Sequence, residues 1–240
     1  MTFVAIGAIA ALAFFVQGYT GFGAALVLAP LLALAIDLKV GVVASALVQV
    51  PIGIYLTLAV RSSVDQAALR SLVPASALGL IGGTLALAWL DVTWLARLCG
   101  ILTALFALDV LRRAVTKASR RPWSPSLAAP AGLAGGLLGG LFGTSGPPII
   151  AYLEPTLSRG GVLRATLLAY FLIINTLRVA SYGFASLYTN EVLFAAVVML
   201  PAAACGAWAG SWLQRRASEG RFRLIVAAVL FFTGLALAVR

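Results

Sequence analysis

Two glycine-rich stretches interrupt long apolar runs in this 240-residue chain: G-Y-T-G-F-G at 18–23 and G-G-L-F-G-T-S-G-P-P at 139–148. Glycine and proline at such density unwind a helix and release backbone N–H and C=O groups. A half-helix that starts near Gly23-Ala24, and another near Ser145-Gly146, would each present unpaired N–H groups and a partial positive charge to an anion. Thr20, Thr144 and Ser145 would add hydroxyl donors. Polar side chains inside apolar runs point to the same chemistry. Gln49 lies mid-run, just before Pro51, and Asn175 and Arg178 are three apart and so share one helix face. Gln17, at the end of the first half-helix, is a further amide. Arg178 is the one base far from a loop and would supply fixed positive charge. The plainer alternatives are close glycine packing, and an arginine that reaches an interface or pairs with Asp109 or Glu154. Those two acids are also the candidates for carrying a coupled proton; the other five, Asp37, Asp65, Asp91, Glu191 and Glu219, fall in loops.

What must position these residues follows from composition. Apolar residues make up 62% of the chain and charged residues 10%, far from the balance of a soluble domain and from that of a disordered chain. Bases outnumber acids to give a net charge of +10, but they flank apolar runs, where they set topology and do not recruit nucleic acid. With no histidine, and with Cys99 and Cys205 far apart in apolar runs, neither a metal centre nor a disulfide framework is expected. No cofactor fingerprint, P-loop or G-x-S-x-G is present, so enzyme activity is not expected. The N-terminal run carries no charge before residue 37 and does not read as a cleaved signal. Trp89, Trp94, Trp208 and Trp212 read as interface anchors.

The chain reads as an all-α polytopic membrane protein built from two inverted repeats. Each repeat is a glycine-broken hairpin segment followed by three transmembrane helices. The first repeat, 1–111, has its broken segment at 3–36 and helices at about 40–60, 67–90 and 92–111. A basic linker, 112–127, follows. The second repeat, 128–240, has its broken segment at 128–157 and helices at about 162–185, 188–214 and 221–239. The duplication is visible in L-V-P-A-S-A-L-G-L-I-G-G at 72–83 against M-L-P-A-A-A-C-G-A-W-A-G at 199–210, which pairs Gly79 with Gly206 and Gly83 with Gly210. If each broken segment enters and returns as two half-length helices, every base except Lys39, Arg97, Arg240 and the intramembrane Arg178 falls on one side. The positive-inside rule then puts the linker in the cytoplasm and both termini outside. An odd number of crossings per half inverts the halves, an architecture of secondary transporters.

The motifs G-Y-T-G-F-G-A-A-L-V-L-A-P at 18–30, the A-S-A-L run after it, and G-L-F-G-T-S-G-P-P at 140–148 resemble the TauE/SafE family of sulfite exporters, over nearly the whole chain. The resemblance implies a permease of the cell inner membrane for sulfite, organosulfonates or related sulfur-containing anions. It departs in reading Gly23-Ala24-Ala25 where further glycines are usual, which narrows the space beside the break. On that reading Thr20, Gly21, Phe22, Gly23, Thr144, Ser145 and Gly146 donate hydrogen bonds to the anion, and Gln49, Asn175 and Arg178 line its pocket. Export needs no coupling ion, because an interior-negative potential drives an anion outward by about 2.3 kcal/mol per 100 mV. A proton-coupled importer, a channel and a non-transporting accessory subunit are the alternatives. Lipid is the surrounding partner, and a homodimer is left open.

Overall fold

A computed structural model describes residues 2–116, 124–157 and 160–214, and among these every regular element is helical. The helices are α1 (Thr2–Thr20), α2 (Ala24–Ala35), α3 (Leu38–Leu58), α4 (Gln66–Trp89), α5 (Val92–Thr116), α6 (Ala128–Phe142), α7 (Gly146–Leu153), α8 (Gly160–Phe184) and α9 (Asn190–Gln214). Single 3-10 turns at Arg61–Ser63 and Pro125–Leu127 precede α4 and α6. The helix expected at 221–239 lies outside the described residues. Seven of the described helices are long and apolar enough to cross a membrane. Large apolar side chains such as Trp89, Trp94, Phe184, Val197 and Trp208 are exposed on them. In an all-helical chain of this composition that exposure is a lipid-facing surface, and the protein is a polytopic membrane protein.

Three loop acids start helices. Asp37 accepts hydrogen bonds from the Lys39 and Val40 N–H groups (2.7 and 3.3 Å) at the start of α3. Asp65 accepts from Ala68 N–H (2.9 Å) at α4, and Asp91 from Thr93 and Trp94 N–H (2.8 and 3.4 Å) at α5. Each satisfies donors that the first helical turn leaves open. These bonds also hold the Asp91 carboxyl below the usual carboxylate range.

Both glycine stretches break their helices, and the reason is local. Gly21, Gly23 and Gly143 take positive φ angles of 87°, 96° and 75°, a region that a Cβ disfavours. Gly143 ends α6 as a left-handed cap: its N–H donates to Gly139 O, and Thr144 N–H reaches back to Leu138 O at 3.3 Å. The segments are not split into equal halves as expected. α1 has 19 residues against 12 in α2, and α6 has 15 against 8 in α7. At 1.5 Å per residue, α1 is about 28 Å long, close to a full crossing, while α7 is only about 12 Å. The breaks sit late in their segments, so the first arm of each is the long one. Each short helix packs back along its long one; Ile149 of α7 fills the space that a Cβ on Gly135 of α6 would need.

The closest helix contacts are α4 with α6 and α1 with α9, and glycines make both. A methyl on Gly79 or Gly83 would meet the Leu133 or Leu137 carbonyl of α6. A methyl on Gly206 or Gly210 would meet the Ala11 or Phe15 carbonyl of α1. Small residues that let backbones touch are how helices associate where lipid is as apolar as leucine. Gly79 and Gly83 of α4, and Gly206 and Gly210 of α9, thus each let a neighbouring backbone approach closely. One apolar cluster is drawn mainly from α1, α2, α3 and α9, and a second from α4, α6, α7 and α8.

Candidate functional site: a buried arginine at the second helix break

α8 and α3 run antiparallel along a polar seam. Asn175 Nδ2 donates to Gln49 Oε1 at 2.9 Å. One turn further along α8, Arg178 Nη2 donates to Ser45 Oγ at 3.4 Å, while Ser45 Oγ donates to Val42 O at 2.7 Å. Near the other end of the seam, Asp65 N–H donates to Thr166 Oγ1 at 2.9 Å. The i, i+3 spacing of Asn175 and Arg178 thus does what the sequence predicts, placing both on the face that meets α3.

Arg178 is the centre of the arrangement. It is 1% exposed and is the largest fully buried side chain of the described residues. Its guanidinium carbon stands 5.7 Å from the Tyr182 ring centroid, one turn along α8. It occupies the space a Cβ on Gly143 would take, so the second break is shaped to admit the guanidinium. Its Nε has no hydrogen-bond partner, and neither has Gln49 Nε2. Among the described residues no carboxylate pairs with Arg178. Asp109, in the last third of α5, and Glu154, at the C-cap of α7, are half-buried, and neither bonds to it. The alternative of an internal ion pair with either acid therefore falls away. A buried cation without a counter-charge is costly, and what would offset that cost here is an anion.

The first break also leans on α8. Arg164 Nη2 donates to Gly18 O at 2.8 Å, and its Cγ lies 2.7 Å from where a Cβ on Gly21 would stand. Arg164 and Arg178 are 14 residues apart, about 21 Å along the helix, so one rigid helix touches both breaks. The breaks also approach each other. Leu26 of α2 lies 3.9 Å from the Cβ position of Gly146. It lines, with Thr144, Pro147 and Thr103, a cavity of about 50 Å³.

Several hydroxyls expected to face an anion are engaged locally. Thr20 Oγ1 lies 2.9 Å from Val16 O and 2.6 Å from Phe22 O, donating to the backbone of its own turn, and it accepts from Phe22 N–H at 3.2 Å. Ser145 Oγ turns toward Gly139 and the Tyr170 hydroxyl, which also bonds Ser76 Oγ at 2.8 Å. Thr144 is buried and its N–H is taken by the α6 cap. Gly146 is buried at the start of α7, but Pro147 and Pro148 follow it and have no N–H to offer. The first turn of α2, at Ala24, Ala25 and Leu26, keeps all of its N–H groups. Phe22 is half-buried and packs on the second apolar cluster. Gln17, on α1, is buried with Oε1 unpartnered. Sequence reasoning overlooked Ser45, Tyr182 and Arg164 as members of the site. Tyr182 was readable as the i+4 neighbour of Arg178, whereas Arg164 was masked by the loop bases around it.

Neither a curated protein nor a solved structure matches the chain. A family model does, over residues 6–237: the sulfite exporter TauE/SafE. With that match over nearly the whole length, and an all-helical membrane fold beneath it, the chain belongs to the TauE/SafE sulfite exporter family, a family of membrane transporters and not of enzymes.

Proposed function

We propose that this chain is a secondary transporter that exports sulfite or a small organosulfonate, held as an anion beside Arg178 where the two glycine breaks converge. The observation that carries the reading is the buried guanidinium of Arg178, without a carboxylate partner among the described residues and with Nε open. Gln49 Nε2 is the second open donor, and Asn175 orients that amide through its bond to Oε1. Gly143 provides room for the guanidinium, and Gly21 and Gly23 keep the first break in its turn. The N–H groups at the start of α2 add partial positive charge from the other side.

Access alternates as two inverted halves rock about this site. The matched glycine contacts of α1 with α9 and of α6 with α4 support a duplicated framework. The distribution of bases supports a cytoplasmic linker at 112–127, outside termini and residence in the cell inner membrane. The potential alone drives export. Asp109 and Glu154 are the residues through which a proton would act if the direction were inward.

The test is made in proteoliposomes under an imposed potential. Sulfite should evoke charge movement with wild-type protein and none with Arg178→Gln, while Arg178→Lys retains a fraction because it keeps the charge and loses the planar fork. Equal currents from wild type and Arg178→Gln would remove Arg178 from the site. Flux that responds to a proton gradient at zero potential would overturn the uncoupled mechanism.

A further inference from the structure

Resting on the anion-transport reading, we infer that the site takes singly charged oxyanions and rejects doubly charged ones. The charges around Arg178 set this rule. α8 packs on α3, α4, α6 and the turn Arg61–Ser63. None of α3, α4, α6 or α8 contains an aspartate or glutamate. Apart from Arg178, the charged residues on these elements are the bases Lys39, Arg61, Arg70 and Arg164. Lys39 Nζ is turned to Ala88 O at 3.4 Å. The nearest helix-capping acid that meets α8 is Asp65, at Thr166. That is 12 residues from Arg178, about 18 Å along the axis. The titratable side chains beside Arg178 are the phenols of Tyr182 and Tyr188. Both hydroxyl protons are already used, by Gly140 O at 2.7 Å and Val179 O at 2.6 Å.

Among the described residues of the elements packed on α8, the surroundings of Arg178 therefore hold one full positive charge and no carboxylate that could adjust it. A monoanion brings the buried pair to zero net charge. A dianion leaves a net negative charge in a medium of low dielectric, and the cost of desolvating an ion rises with the square of its charge. The open side-chain donors beside Arg178, its own Nε and Gln49 Nε2, together with the first-turn N–H groups of α2, are fewer than the donors of a dianion's hydration shell. Sulfite takes up a proton near neutral pH, so the transported species is hydrogen sulfite. Alkyl sulfonates are monoanions at every physiological pH, and sulfate and thiosulfate are excluded by charge and not by size.

The experiment compares methanesulfonate, sulfate and sulfite in the same proteoliposomes from slightly acidic to slightly alkaline pH, with protein-free and Arg178→Gln liposomes subtracted. Methanesulfonate flux should be independent of pH, and sulfate flux absent. Sulfite flux should fall on the order of tenfold per pH unit once hydrogen sulfite is the minor species, because only the competent fraction binds. One elementary charge should move per anion. Sulfate carried as fast as methanesulfonate, or sulfite carried at a rate indifferent to pH, or with two charges each, would overturn the charge rule and leave the transporter standing. No protein-dependent flux of any of the three would overturn the transport reading, and the charge rule with it.

Discussion

Replacing Arg178 by methionine should make the protein more stable and inactive together. The guanidinium is 1% exposed, and the effective cost of burying one ion in a protein is several kcal/mol. The structure offers little against that cost. The bond to Ser45 Oγ is long, at 3.4 Å, well short of the roughly 1.5–3 kcal/mol of a good bond to a charged group. The Tyr182 ring at 5.7 Å adds about 0.5–2 kcal/mol. Methionine keeps most of the stem's volume and leaves no charge, so Arg178→Met should gain about 1–4 kcal/mol, taking as its scale the range seen when buried ion pairs give way to apolar residues of similar volume. For a chain of this size that is roughly 3–12 °C in melting temperature, readable from tryptophan fluorescence in detergent at a fixed scan rate. Adding a bound monoanion at about a hundredfold excess over Kd should stabilise wild type by about 2.7 kcal/mol and leave Arg178→Met unmoved. A melting temperature lowered in Arg178→Met, corresponding to the roughly 2–5 kcal/mol loss of an ordinary core truncation, would refute this account. It would mean that the guanidinium is satisfied without a ligand.

Two further contrasts probe the glycines. Gly23→Ala and Gly143→Ala both place a Cβ at positive φ, a strain of about 1–2 kcal/mol. At Gly23 the methyl meets only Val16 Cγ1 at 3.4 Å, whereas at Gly143 it displaces the Arg178 guanidinium. Anion flux should therefore drop far more in Gly143→Ala than in Gly23→Ala at matched protein levels, and equal losses would dissociate the guanidinium from the break. On α4, Gly83→Ala would press on the Leu137 carbonyl and on Gly140 Cα at 3.0 Å, while Gly82→Ala meets only a leucine methyl at 3.7 Å. Thermal unfolding should show Gly83→Ala destabilised by about 1–3 kcal/mol and Gly82→Ala neutral or up to about 1 kcal/mol more stable.

Local properties of the chain were sufficient for the membrane class and for the places where helices break. Hydropathy is a sum over neighbours, and the demand for glycine at positions 21, 23 and 143 comes from the φ angle of each residue itself. Gly79 with Gly83, and Gly206 with Gly210, stand four residues apart in apolar runs and so were legible as packing positions, although only the fold shows which carbonyls they meet. The membership of the site was decided by packing across the chain. Ser45 and Arg178 are 133 residues apart, and Gln49 and Asn175 are 126 apart. No periodicity in α3 or α8 announces that one reaches the other. Tertiary structure also reassigned the hydroxyls. Local acceptors and Tyr170 engage Thr20 and Ser145, so the open side-chain donors on the seam of α3 and α8 beside Arg178 are its own Nε and Gln49 Nε2. A polar side chain's chemistry is written in its type, but whether its hydrogen bonds are already taken depends on which distant groups the fold brings within 3.5 Å.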